Sequence, residues 1–207
     1  MQITIVGYGN MGAGLTKQLR QAGHQVVVTG RNLEKAAAVA AAHGATAVAL
    51  GAAAAQAEVV ILAVPYPEVA SAIASLGDLA GKVIVDPTNP LTADYMGLTL
   101  GFSTSAAEEI AKLVPGAKVV KAFNTLFAQV IDAGSDFLGT PASGFYAGDD
   151  AQAKAVVASL LSSLGYAPVD AGGLHNARYL EPLAGLNIYL GYGAGLGVQI
   201  APTWLKR

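Results

Sequence analysis

Short apolar runs rich in valine and isoleucine recur along the chain. They alternate with longer stretches in which apolar residues return at helical spacing. The runs Gln2–Val6, Gln25–Thr29, Glu58–Val64, Lys82–Asp86, Lys118–Ala122 and Ser143–Ala147 predict strands, with weaker candidates at Thr46–Val48 and Ala167–Val169. Glu58–Val64 is the strongest of them; Pro65 stops it, as Pro87 stops Lys82–Asp86. Helices are predicted over Asn10–Gln21, from an Asn32 cap to about His43, over Glu68–Leu76, Ser105–Leu113 and Asp149–Leu164, and from Asn176 to about Leu190. Gly51–Gln56 reads as a short helix or loop, and Leu91–Thr104, with Gly97 and Gly101, as a longer loop. The strands are continuously apolar rather than alternating, which is how parallel strands covered on both faces read. The expected fold class is therefore α/β, a doubly wound parallel sheet extended by C-terminal strands and a final helix. The domain reading is one domain over 1–207 with a small helical appendage over about 172–207.

The first strand-to-helix turn adds chemistry to this frame. Gly7-Tyr8-Gly9-Asn10-Met11-Gly12 fits G-x-G-x-x-G between a predicted strand and a predicted helix, the context in which that string binds a dinucleotide. Gly7 permits the tight turn, Gly9 lets a pyrophosphate reach the backbone, and Gly12 lets helix and strand approach. The free N–H groups of the helix N-terminus then face the phosphates. The fold reading sharpens to a Rossmann NAD(P)-binding fold.

The end of the second strand selects between the two nucleotides. Thr29-Gly30-Arg31-Asn32 stands where an NAD site carries an acidic residue for the ribose hydroxyls. Arg31 suits a 2′-phosphate, with hydrogen bonds from Thr29 and Asn32 and a second charge from Lys35, so NADP(H) is the expected cofactor. By topology the nicotinamide lies beside Ala63-Val64-Pro65-Tyr66, Asp86–Pro90 and Lys121–Thr125, which follow three successive strands. Val64 and Pro65 flank ribose and ring, Asn89 and Asn124 offer hydrogen bonds, and Tyr66, Ala122 and Phe123 offer apolar surface. Asp86 reads as a cap or turn former.

Composition narrows the function classes. There is no cysteine, which excludes disulfides, thiolate metal sites and cysteine nucleophiles. Net charge is −2 with no basic run, which argues against nucleic acid. A strand at Gln2–Val6 leaves no place for a leader, and the expected location is cytoplasmic. Pro182–Leu205 has no charged residue, but Asn187, Gln199, Pro202 and five glycines dilute it, so a buried helix followed by a Gly-rich segment is expected rather than a membrane span. With 13% charged and 53% hydrophobic residues, a homodimer is expected, using the C-terminal region around Gly191–Gly197.

At Gly7–Gly12, Thr29–Arg31, Ala63–Pro65, DPTNP (Asp86–Pro90), KAFNT (Lys121–Thr125) and NARYLEPLAGL (Asn176–Leu186), the chain resembles the deazaflavin-dependent NADP oxidoreductases over nearly its whole length. The cytosolic domains of the six-span metalloreductases share this fold. The resemblance implies direct hydride transfer between NADPH and a flavin- or deazaflavin-like ring, a step in which the protein supplies binding and orientation. It implies no catalytic side chain and no metal. It matches Thr29, Arg31 and Lys35 to the 2′-phosphate site and Ala63–Pro65 to the nicotinamide wall. Arg178 and Glu181, three apart, read as a structural helical pair. Two alternatives stay open: an imine or carbonyl reductase, and a non-catalytic NADPH-binding sensor. An apolar slot between Leu91–Thr104 and the last helix would favour an enzyme.

Overall fold

The computed structural model describes residues 1–204. From the N-terminus run β1 (Gln2–Val6), α1 (Asn10–Gln21), β2 (Gln25–Thr29), α2 (Leu33–Ala42), β3 (Thr46–Ala47), α3 (Leu50–Ala53) and β4 (Val59–Ile61). A 3-10 turn at Tyr66–Glu68 leads into α4 (Val69–Ser75), then β5 (Val83–Asp86), α5 (Ala106–Leu113), β6 (Lys118–Ala122) and α6 (Ala128–Ala133). A small hairpin, β7 (Asp136–Phe137) and β8 (Thr140–Pro141), precedes β9 (Ser143–Gly148), α7 (Ala151–Ser163), β10 (Ala167–Asp170) and α8 (Ala177–Ile188).

The main sheet has eight strands in the order β10-β9-β6-β5-β4-β1-β2-β3. Its six strands from β3 to β6 have the doubly wound Rossmann order and pair in parallel. The parallel reading fails at the extension, because β9 pairs antiparallel with β6, Val120 opposite Gly148. The reason lies in the connection. A parallel return needs a crossover long enough to recross the sheet. Here the chain between β6 and β9 forms the six-residue α6 and the hairpin, and re-enters from the end it left. Beyond β9 the pattern resumes, with α7 carrying the chain to β10 in parallel.

Side-chain caps set three helix starts where the sequence marks them. Asn32, Ser105 and Asp150 accept from the backbone N–H three residues on, at Lys35, Glu108 and Ala153. One strand is shorter than its apolar run suggests. β4 stops at Ile61, and Ala63 N–H donates to the Ile61 carbonyl, turning the chain off the sheet well before Pro65. Leu62 is buried all the same, so hydrophobicity outlasts the strand. At the C-terminus α8 spans 12 residues and continues into a π turn over Tyr189–Gly193. No described helix is long and apolar enough to cross a membrane; Leu205, the last residue of the uncharged stretch, lies outside the described residues, as does the end of the 172–207 appendage. A side chain at Gly191 would meet the Phe127 ring at 2.7 Å, so that glycine serves a contact within the chain.

Candidate functional site

Two cavities open at the carboxyl ends of the strands. The first, about 340 Å³, lies between the Gly7–Gly9 turn, Arg31, the Ala63–Pro65 segment, Glu68 at the end of the 3-10 turn and the face of α4 at Ser71 and Ser75. The three motif glycines answer to different constraints. Gly7 has φ +127°, its N–H donates to the Thr29 carbonyl at 2.8 Å, and a Cβ there would sit 2.1 Å from the Ala63 oxygen. A Cβ on Gly12 would sit 2.2 Å from the Gly7 oxygen, which fixes how closely α1 meets β1. Gly9 has an ordinary extended backbone, and a Cβ there meets nothing within 4 Å. No part of the chain requires glycine at position 9. As the N-cap of α1 it offers no side-chain bond, so the first N–H groups of a 12-residue helix stay open beside it.

Gly30 is explained by Tyr8, whose ring would be 2.6 Å from a Cβ at that position. Arg31 is solvent-exposed and pairs with Glu68 across the cavity mouth, Nη2 to Oε2 at 2.8 Å. Asn32 caps α2 through its Oδ1, and Lys35 is exposed on the first turn of that helix with no ion pair among the described residues. Thr29 must be corrected. It is fully buried and its hydroxyl donates to the Val48 carbonyl at 2.8 Å, so it braces the loop instead of facing the cavity.

The second cavity, about 570 Å³, lies between the N-terminus of α1 (Asn10, Met11), the ends of β5 and β6 (Pro87, Asn89, Asn124), the loop Asp94–Met96 and α8 (Ala184, Asn187, Ile188). Asn89 and Asn124 are locked together: Asn89 Nδ2 donates to the Asn124 carbonyl at 2.9 Å, and Asn124 Nδ2 donates to Asn89 Oδ1 at 3.0 Å and to the Leu180 carbonyl at 2.9 Å. Asn124 Oδ1 is left buried without a donor, as a nicotinamide carboxamide would use it. Val64 and Pro65 line the first cavity rather than this one. Tyr66 lines neither; burial, then the fields of Glu109, Glu181 and Asp86, push its phenol pKa up. Ala122 and Phe123 are also corrected. Both are buried, and the Phe123 ring packs edge-on to Tyr166 at 6.4 Å, inside the core.

Behind the second cavity lies a fully buried cluster of charges. Lys121 Nζ donates to Asp86 Oδ2 at 2.8 Å, Glu181 Oε1 at 2.7 Å and the Thr88 carbonyl at 2.5 Å. Asp86 also accepts from Thr88 N–H, the turn-forming role expected of it. Glu181 accepts the Ala106 and Ala107 N–H groups at the start of α5. The expected Arg178–Glu181 pair does not form. Arg178 instead makes a two-pronged bond to Glu108 on α5, at 2.6 and 2.8 Å, and holds that carboxyl below the usual range. Asp86, Lys121 and Glu181 come one each from DPTNP, KAFNT and NARYLEPLAGL, so the segments that looked most distinctive in the sequence converge on one cluster.

The slot lies where the sequence placed it, between the Leu91–Thr104 loop and the last helix, but its individual residues Asp94–Met96, Ala184, Asn187 and Ile188 were not named, and Glu68 was missed. For α8 a signal existed: Ala184, Asn187 and Ile188 share one helical face.

The N-terminal part of the chain, residues 2–90, matches the family model described as NADP oxidoreductase, coenzyme F420-dependent. The F420-dependent NADP reductase of Methanothermobacter marburgensis is 31% identical over 92% of both chains. Metalloreductase STEAP3 of Rattus norvegicus is 33% identical over 88% of this chain, which spans only 36% of that protein. Among solved structures, a candidate F420-dependent NADP reductase from Arthrobacter sp. FB24 superposes over 100% of both chains with a TM-score of 0.90 and 32% identity.

Proposed function

The chain belongs to the coenzyme F420-dependent NADP oxidoreductase family, and from that premise we propose that it carries a hydride between NADP(H) and a small flat acceptor of the flavin or deazaflavin type. The single observation that carries this reading is the second cavity. An enzyme of this kind needs an apolar slot beside the nicotinamide, and about 570 Å³ lies open between the Asn89–Asn124 pair and α8. A sensor would close that space or present it to a partner protein.

NADP(H) would be held by the Gly9 opening and the first cavity, with Arg31 and Lys35 for the phosphate of its adenosine half and the Asn89–Asn124 pair for the nicotinamide. The nicotinamide supplies the hydride chemistry when bound; the protein orients it and keeps water out. Asn124 Oδ1 accepts from the carboxamide, Met11 and Pro87 give apolar surface, and Ala184 and Ile188 wall the acceptor's side. An imine or carbonyl reductase also needs a proton donor. The Thr92 hydroxyl and the Met96 N–H hold the Asp94 carboxyl on the slot below the usual range, which makes it a poor donor, but the phenols of Tyr95 and Tyr192 line the same slot and keep that second reading in play.

Calorimetric titration with NADPH and NADH tests the cofactor reading. NADPH is expected to bind at least about tenfold tighter, and Arg31→Ala to remove that preference at about 1–3 kcal/mol. Equal binding of the two nucleotides would reject it. A homodimer through Tyr189, Tyr192, Leu196 and Trp204, all exposed, belongs to the same proposal. Light scattering after size exclusion at micromolar concentration is expected to give twice the chain mass; the chain mass alone would overturn the dimer.

A further inference from the structure

The Arg31–Glu68 ion pair stands exposed on opposite lips of the first cavity. Arg31 follows β2 and Glu68 closes the turn before α4, and both line the space that runs from the Gly7–Gly9 turn. The cation that the sequence marks for a 2′-phosphate already has an anion. No other ion pair among the described residues lies at this cavity; Glu34 and Lys35, on the first turn of α2, form none.

We propose that Glu68 sets how tightly phosphate-bearing dinucleotides are held: its carboxylate occupies Arg31 across the cavity mouth until a 2′-phosphate takes its place. The inference rests on the NADP(H) reading and deepens it. An ion pair between two exposed side chains is weakly held and opens readily. A 2′-phosphate presents a dianion that the planar guanidinium can grip with two N–H groups, so it displaces the carboxylate. A 2′-hydroxyl presents no charge and leaves the pair closed. Once displaced, Glu68 remains beside the dianion as a like charge. Competition for Arg31 and repulsion of the dianion both limit how tightly phosphate-bearing nucleotides are kept, which suits a protein that exchanges NADP(H) with solvent in every cycle.

The test is calorimetry on the full chain with NADPH, NADH and 2′,5′-ADP, for wild type, Glu68→Gln, Arg31→Ala and the double variant. Glutamine keeps the shape and removes the charge. Glu68→Gln is expected to tighten NADPH and 2′,5′-ADP by roughly three- to tenfold and to leave NADH within about twofold. The gain should shrink in high salt and vanish in the Arg31→Ala background. Unchanged or weaker NADPH binding in Glu68→Gln, with wild type still preferring NADPH, overturns the proposal alone. If wild type prefers NADH or binds neither nucleotide, the NADP(H) reading and this proposal fall together.

Discussion

Replacing Gly9 with valine is expected to leave the protein folded and to weaken NADPH binding by about a hundredfold or more. The two halves of that result have separate causes. Gly9 has φ −76° and ψ −174°, which any residue adopts, and its Cβ direction is empty to 4 Å. The loss of stability should stay within the modest preference for glycine over valine at an N-cap, about 2–4 °C in Tm. On the proposed reading that space takes the pyrophosphate, and an isopropyl group there removes the approach to the α1 N-terminus. Gly12→Ala is the contrasting control. Its Cβ would overlap the Gly7 carbonyl, so it should damage folding and binding together. A Gly9→Val protein that binds NADPH like wild type would place the phosphates elsewhere.

The largest effect on stability is expected at Lys121. Lys121→Met leaves Asp86 and Glu181 buried and facing each other with no cation between them. Removing one partner from such a network typically costs about 3–5 kcal/mol, since the remaining charges stay desolvated. Urea unfolding followed by far-UV circular dichroism reads this as a lower midpoint with the slope unchanged. Glu181→Gln is the informative companion. Its single amide oxygen can still accept from one of the Ala106 and Ala107 N–H groups, and Lys121 stays matched one to one with Asp86, so it should cost less. If Lys121→Met unfolds at the wild-type midpoint, the charges are not the lock that the distances suggest.

Much of this was legible in the sequence, and the exceptions have physical reasons. Gln25–Thr29 and Lys118–Ala122 match their apolar runs residue for residue, because turn-forming segments bound them on both sides. Glu58–Val64 overran the strand because the apolar residues run on past Leu62, the last to bond β5 through its N–H to Val85, into the turn at Ala63. The six-residue α6 was invisible: its N-cap, Phe127, has no side chain able to cap. The direction of β9 was invisible too, since a strand's own residues say nothing of which way its neighbour runs. At the site, Gly7–Gly12 and Arg31 were readable from local spacing. The partner of Arg31 lies 37 residues away and that of Lys121 lies 60 residues away, distances at which only the fold decides who meets whom. Phe123 misled because flat apolar residues near a ligand loop look alike whether they face the ligand or the core; its φ of +64° turns it inward.

The order in which the charge cluster assembles has a consequence for the newborn chain. Asp86 and Lys121 leave the ribosome well before Glu181, and because their strands are adjacent the two can pair before it arrives. The nucleotide cleft is by then complete, whereas the slot still lacks the wall that α8 provides. At about 5–20 residues per second, the remaining segment follows within seconds. The molecule thus gains its hold on the dinucleotide first and its second reactant's seat last, and a nascent chain that meets NADPH early is a stabilised scaffold on which α8 then docks.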